Sequence, residues 1–187
     1  MRLLKQKCGQ TLDLSLVEIE TERLKLVPVS RKFARDIFRE FTADITRYMV
    51  PTPVDHIDEI YAFINISREK MAVGDQLVMA ILETQTGQFS GVCAIHGKEP
   101  GVTAELGIWL KKSSQGKKLG LEAITHLVQW ARANLVLSNF IYPVDKNNIP
   151  SRKIAESLVG IVVTEGQRTS LSGANLNEWV YRINIGG

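Results

Sequence analysis

Cysteine is scarce in this chain. The 187 residues hold two, Cys8 and Cys93, far apart and without a CxxC pair. That spacing supports neither a disulfide framework nor a thiolate zinc site, and it fits a reducing cytoplasm. Histidine is nearly as sparse: His56, His96 and His126 have no second ligand at helical spacing. Each therefore reads as a surface or partly buried residue, and no metal is expected. No run of about 18 apolar residues occurs, so no segment reads as a membrane-spanning helix. The opening MRLLKQKCGQTLDLSL lacks both an unbroken apolar run of about 7 residues and a small-residue cleavage pattern, so it does not read as a signal peptide. An excess of one charge is also missing. With 23 Lys and Arg against 20 Asp and Glu, the net charge of +3 is too small to argue for DNA or RNA binding from bulk charge.

What is present is the composition of a soluble globular protein, 44% hydrophobic and 23% charged. Residues 1–18 read as an N-terminal arm or an extra edge strand, and residues 19–187 as a single α/β domain. RLKLVPV, from Arg23, alternates as a first strand. Ser30 then stands where it can cap a helix whose apolar residues run from Phe33 through Ile37, Phe38, Phe41 and Ile45 to Tyr48. After the PTPVD break, a second helix is expected with Thr52 as N-cap, Pro53 as its first residue and Asp55 as a first-turn acid. QLVMAILE, QFSGVCAIHG and TAELGIWL form a three-strand meander. A helix with Leu121, Ile124, Leu127, Val128, Ala131 and Leu135 on one face follows, then the strand FIYPV, a helix begun by DKNNIPS, and two final strands, IVVT and NEWVYRINI. In the last, Trp179, Tyr181, Ile183 and Ile185 share a face. The crossover from TAELGIWL through a helix to FIYPV allows those two strands to lie parallel.

The chemistry gathers between strand and helix, in SSQGKKLGLEA. The first turn of a helix leaves amides without acceptors. Gly116 and Gly120 let a ligand approach the backbone, and Lys111, Lys112, Lys117 and Lys118 add positive charge. A phosphate suits this combination, although a surface turn with solvated lysines has the same composition. Neither the Walker pattern GxxxxGK[ST] nor the Rossmann glycine pattern is present, which counts against ATP and NAD.

The segment AELGIWLKKSSQGKKLGLEAITHLVQWA resembles the acetyl-CoA-binding core of the GNAT superfamily of N-acetyltransferases, whose pyrophosphate loop reads Gln/Arg-x-x-Gly-x-Gly/Ala. Gln115 and Gly120 fit, whereas Lys118 stands where the first motif glycine is usual. NNIPSRKIAESLVG resembles the branch typified by the ribosomal-protein acetyltransferases RimJ and RimL, where Asn-x-x-Ser opens the next helix. Asn148 and Ser151 fit, and Val159-Gly160 departs from the usual Gly-Phe or Gly-Gly. ETERLKLVPVS resembles the first strand of that branch. The three matches span roughly Glu20 to Gly160.

The resemblance implies a GNAT-like acyl-CoA N-acyltransferase fold: a mixed, mostly antiparallel twisted sheet with a splayed parallel strand pair and helices on both faces. It implies acetyl-CoA as co-substrate and direct acetyl transfer to a primary amine, either a protein N-terminus or a small amine. The implied cofactor-binding residues are Ile108, Trp109, Leu110, Gln115, Gly116, Lys117, Lys118, Leu119, Gly120, Asn148 and Ser151. Glu105 is placed to hold or deprotonate the amine, or is an ordinary outward-facing strand residue. Many relatives use a Tyr near the position of Ala155 as general acid. Here it is missing, which passes the role to Ser151, a residue that also suits the first turn of a helix. Asn148 either bonds the pantetheine amides or caps that helix, and Glu178 is a second candidate for contacting the amine. Trp130 reads as packing, while Trp109 and Trp179 are candidates for the cleft border. Residues 41–56 are expected to line the acceptor pocket. The rival readings are a catalytically idle CoA-binding sensor, prompted by Lys118 and the missing Tyr, and an RNA- or ribosome-binding protein that uses Lys111 to Lys118 as a basic patch. Either a monomer or a homodimer is compatible.

Overall fold

The structure is a computed structural model in which residues 3–7 and 13–185 are described. Cys8 lies outside them. In chain order the elements are β1 (Lys5–Gln6), a 3₁₀ turn (Leu14–Leu16), β2 (Ile19–Glu20), β3 (Leu24–Pro28), a second 3₁₀ turn (Arg31–Phe33), α1 (Ala34–Glu40), α2 (Ala43–Thr46) and α3 (Ile57–Ala72). There follow β4 (Gln76–Glu83), β5 (Phe89–Glu99), β6 (Thr103–Leu110), a third 3₁₀ turn (Lys112–Ser114), α4 (Leu119–Asn134), β7 (Leu135–Val136), β8 (Asn139–Asp145), α5 (Ile149–Ser157), β9 (Ile161–Thr169) and β10 (Asn175–Asn184). Eight strands form one sheet in the order β2-β3-β4-β5-β6-β8-β10-β9. Within it β6 and β8 are the parallel pair and the other neighbours are antiparallel.

Both faces of the sheet are covered, which is why β4 reads as a continuous apolar run rather than an alternating one: Gln76 through Ile81 are all buried. On β6, alternate residues separate the two layers. Ile108 and Leu110 point at the start of α4, so a Cβ built on Gly120 would lie 3.6 and 3.5 Å from their Cδ1 atoms. Trp109 points the other way, its ring 5.0 Å from that of Phe41 and 5.8 Å from that of Phe89.

The sequence expectations need correction at the end of α4, where Leu135 leaves the helix and pairs with Gln6 in β7, and at the first two helices. The helix foreseen from Phe33 to Tyr48 is broken. Phe41 leaves helical geometry at ψ 66°, and the short α2 follows. Phe33 and Ile37 are buried as expected, but Phe38 is exposed. Aromatic spacing alone does not reveal a break imposed by Phe41 turning onto Trp109. Ser30 occupies the N-cap position without a side-chain bond to the first turn. The second helix starts at Ile57, not at Pro53. There the His56 amide donates to the Glu59 carboxylate at 3.3 Å, and Thr52, Pro53 and Asp55 belong to the preceding loop. Among the described residues, the N-terminal segment up to Val17 does not extend the main sheet. Lys5 and Gln6 pair with Val136 and Leu135 in a separate two-stranded ladder, and Leu4, Leu14 and Val17 are buried.

Candidate active site

The parallel contact between β6 and β8 lasts for three residue pairs, Thr103–Asn139, Ala104–Phe140 and Glu105–Ile141. Beyond Glu105 the strands part. β6 stays paired to β5 on its other side up to Leu110, and β8 to β10 up to Asp145. The inner edges therefore carry backbone groups between Leu106 and Leu110 that no longer meet a partner strand. A cleft of about 240 Å³ occupies the opening. It is lined by Leu106, Gly107 and Ile108 from one strand, Tyr142, Pro143 and Val144 from the other, Asn148 and Ser151 from α5 and its cap, and His96, Glu105, Arg168 and Glu178 toward the opposite side. From the segment 41–56, Tyr48, Met49, Val50 and Pro51 add a further wall.

The lysine-rich loop leads from β6 to the start of α4. Gly116 and Lys118 both have positive φ, 76° and 61°. The first is a position where glycine is at ease; the second is the left-handed conformation that a motif glycine would supply, held here by a residue with a side chain. No protein acceptor is found, among the described residues, for the amides from Gly116 to Leu121. Gln115 turns inward, its Nε2 donating to the Leu110 carbonyl at 3.1 Å, so its side chain closes the loop. Of the four lysines, Lys112 is engaged by Asp44 at 2.7 Å, whereas Lys117 and Lys118 are exposed.

The start of α4 is anchored by the first strand region. The Glu122 carboxylate accepts from the Thr21 hydroxyl at 2.5 Å, the Arg23 amide at 2.8 Å and Arg23 Nε at 2.7 Å, while Arg23 also donates to the Lys117 carbonyl at 3.2 Å. Burial alone would raise the Glu122 carboxyl. The hydrogen bonds from Thr21 and Arg23 outweigh it and hold the group below the usual carboxylate range. Thus the Thr-Glu-Arg-Leu stretch and the Glu122-Ala123 stretch, far apart in sequence, are two halves of one clamp.

On the other wall, Asp145 organises the turn into α5 by accepting from the amides of Asn147 and Asn177. Asn148 caps α5, its Oδ1 accepting from the Ser151 amide at 3.3 Å. The Ser151 side chain lies near the Tyr142 phenol, which burial pushes up to about 12 and keeps protonated. Tyr142 was not singled out from sequence. Its alternation with Phe140 and Val144 marks a buried strand face, and nothing in that pattern distinguishes a cleft from a core.

On the side facing α1 and α2, Glu105 Oε2 meets Lys98 Nζ at 2.9 Å. Glu178 is 5% exposed and takes a two-pronged bond from Arg168, at 2.6 and 2.8 Å. Trp109 and Trp179 do not line the cleft. Trp109 packs on Phe41 and Phe89, and Trp179 lies under the Arg152 guanidinium at 4.4 Å with its Nε1 donating to Glu165. Trp130 packs against the core. Cys93 is fully buried, and burial pushes its thiol up to about 12, so it offers no thiolate nucleophile.

A sheet opened at one parallel pair beneath a helix start defines an acyltransferase architecture, and the acetyltransferase (GNAT) domain family matches residues 23–158. The chain belongs to that family. It is 28% identical over 142 residues to the uncharacterized N-acetyltransferase p20 of Bacillus licheniformis, covering 74% of this chain and 79% of that protein. Among solved structures, it resembles the Salmonella typhimurium acetyl transferase that modifies the N-terminal serine of the 50S ribosomal subunit protein L7/L12, with a TM-score of 0.79, 17% identity and coverage of 91% of this chain and 100% of that one. It also resembles the microcin C7 self-immunity acetyltransferase MccE in complex with acetyl-CoA and AMP, with a TM-score of 0.78, 21% identity and coverage of 92% and 99%. No helix among the described residues is long and apolar enough to cross a membrane.

Proposed function

We propose that this protein is an acetyl-CoA-dependent N-acetyltransferase of the RimJ/RimL type, acting in the cytoplasm on a primary amine of a protein N-terminus or a small molecule. The observation that carries the reading is the parting of β6 and β8 directly below the loop of Gly116 to Gly120. In this reading the free amides at the start of α4, with Lys117 and Lys118, take the pyrophosphate. The pantetheine arm lies between the strands against the backbone of Ile108 to Leu110, and Asn148 and Ser151 border the sulfur.

Transfer needs a deprotonated amine, stabilisation of the carbonyl oxygen as it gains charge, and a proton for the departing thiolate. Unpaired backbone amides of β6 supply the second. Ser151, beside Tyr142 in the cleft wall, supplies the third. Glu105 attracts the incoming ammonium at the amine end, with Glu178 behind it. With Cys93 buried, attack is direct and no acyl-enzyme forms. Lys118 was the ground for an idle CoA sensor, but it keeps the bend of the motif glycine, and the chain need not be idle on that account. A basic RNA-binding patch is weakened because Lys112 is paired with Asp44.

Isothermal titration with acetyl-CoA, beside CoA and ATP, tests the reading. Micromolar binding of acetyl-CoA is expected, with ATP silent, and Gly120→Trp should abolish it, since even a Cβ at Gly120 would lie 3.3 Å from Ile154 Cδ1. No binding by the wild type removes the reading.

A further inference from the structure

The amine must lose protons before and during attack, and the cleft holds one group able to take them at neutral pH that sequence reasoning set aside. His96 on β5 lies directly opposite Glu105 on β6 in the antiparallel register, so both side chains emerge on the same face. His96 lines the cleft, and its Nε2 would lie 4.0 Å from a Cβ built on Gly107. Since residue 107 is glycine, no side chain at that position covers the nitrogen. The other ring nitrogen, Nδ1, lies 3.0 Å from the Gln76 amide oxygen, which is an acceptor only. Nδ1 therefore carries the proton, and Nε2 presents a lone pair to the cleft. Glu105 is differently placed, because its Oε2 is already engaged by Lys98 at 2.9 Å.

We infer that His96 is the general base of this site: Nε2 takes the proton from the acceptor ammonium while the Glu105 carboxylate holds the positive charge at the cleft. The inference rests on the acetyl-transfer reading above. The ammonium gives one proton to Nε2, and the freed nitrogen lone pair forms the C–N bond as the carbonyl π pair moves to oxygen. When that pair returns, the C–S bond breaks and sulfur leaves with its electrons. The sulfur takes up a proton through Ser151, which is balanced by the second proton lost from nitrogen, and the imidazolium releases its own to solvent. The products are the amide, CoA thiol and one proton.

The charged groups around His96 are Glu105 on β6, Lys98 on its own strand, Lys70 and Asp75 at the end of α3 and just beyond it, and Arg168 and Glu178 across the cleft. Burial holds the imidazole below its ordinary value, Glu105 pulls it up, and Lys98 and Lys70 push it down. It is thus neutral, and able to accept, at pH 7.

The test has two parts. In the wild type, ¹⁵N NMR of His96 should show the Nδ1–H tautomer with a midpoint below that of an ordinary histidine. An Nε2–H tautomer overturns the inference whatever the turnover, and needs no variant to fold. Then kcat/KM is measured against pH with acetyl-CoA and peptides bearing N-terminal serine or alanine. The wild type should lose activity toward acid as His96 protonates. His96→Gln should cut kcat by about 100-fold or more, abolish that acid limb and leave the calorimetric affinity for acetyl-CoA unchanged. A variant that keeps the limb and most of the rate overturns the role of His96 alone, whereas a wild type that fails to bind acetyl-CoA removes the underlying reading as well.

Discussion

Lys118, which leads into α4, and Val159, which follows α5, share a backbone conformation: φ is 61° in the first and 57° in the second, and no other non-glycine residue among those described has positive φ. Both are places where the chain departs from the glycines of the family pattern, and at both the backbone has stayed where glycine would put it. The surroundings differ. At Lys118 the bend presents a row of unbonded amides and adds an ammonium beside them. At Val159 the bend merely closes a helix, with the Val159 amide donating to the Glu156 carbonyl and the Gly160 amide to that of Ala155, while the side chain is 83% exposed. Left-handed geometry costs a residue with a Cβ about 1–2 kcal/mol. The loop gains an exposed ammonium in exchange; nothing in the structure explains the valine.

Three experiments break or sharpen this contrast. The largest effect is expected from Gly160→Ala, because a Cβ there would stand 2.8 Å from the Ala155 carbonyl oxygen and 3.2 Å from Ile183 Cγ1. Denaturant unfolding should show a loss of about 2–3 kcal/mol, within the range for forced overpacking. A neutral outcome would mean that the end of α5 is less constrained than its hydrogen bonds suggest. Next comes the clamp behind the Lys118 bend. Glu122→Gln should destabilise by about 1.5–3 kcal/mol, the range for a hydrogen bond to a charged group. Its folded carboxyl is held low, so the stabilisation is present above the unfolded value near pH 4.3 and is lost as pH falls through the folded value. Part of the wild-type acid slope in urea midpoints should therefore vanish in the variant.

The smallest effects come from the paired substitutions that restore glycine. Val159→Gly should stabilise by about 1 kcal/mol, relief of the left-handed bend less the entropy of the freer unfolded chain. It should leave acetyl-CoA affinity alone. Lys118→Gly should stabilise by about 0.5–1 kcal/mol on the same ground, but weaken acetyl-CoA about two- to fivefold through the lost exposed charge. Equal effects on affinity would erase the distinction between the two bends.

Much of the site was legible one segment at a time. Gly116, Gly120, Asn148 and Ser151 stand in recognisable local patterns because a helix start makes local demands: free amides, room for the chain to turn, an N-cap. His96 was not legible. Sequence spacing shows a ligand or catalytic partner only when both lie on one element, and the partner of His96 is Glu105, reached through the β5–β6 register. Tyr142 was hidden for a related reason, since a strand residue facing a cleft and one facing a core have the same neighbours in sequence. Trp109, a candidate for the cleft border, is turned by alternation along β6 onto Phe41.

By itself the sequence determined the order of the longer strands and helices after Gln76, though not the two-residue β7, together with the loop that leads into α4 and the cap that opens α5, since propensity, apolar period and capping act over a few residues. Only the tertiary structure decided that β6 and β8 part after Glu105, that Thr21 and Arg23 reach Glu122, and that the Nε2 lone pair of His96 faces the opening. Those outcomes depend on which distant segments share a sheet and in what register, and that is fixed by packing the whole core at once.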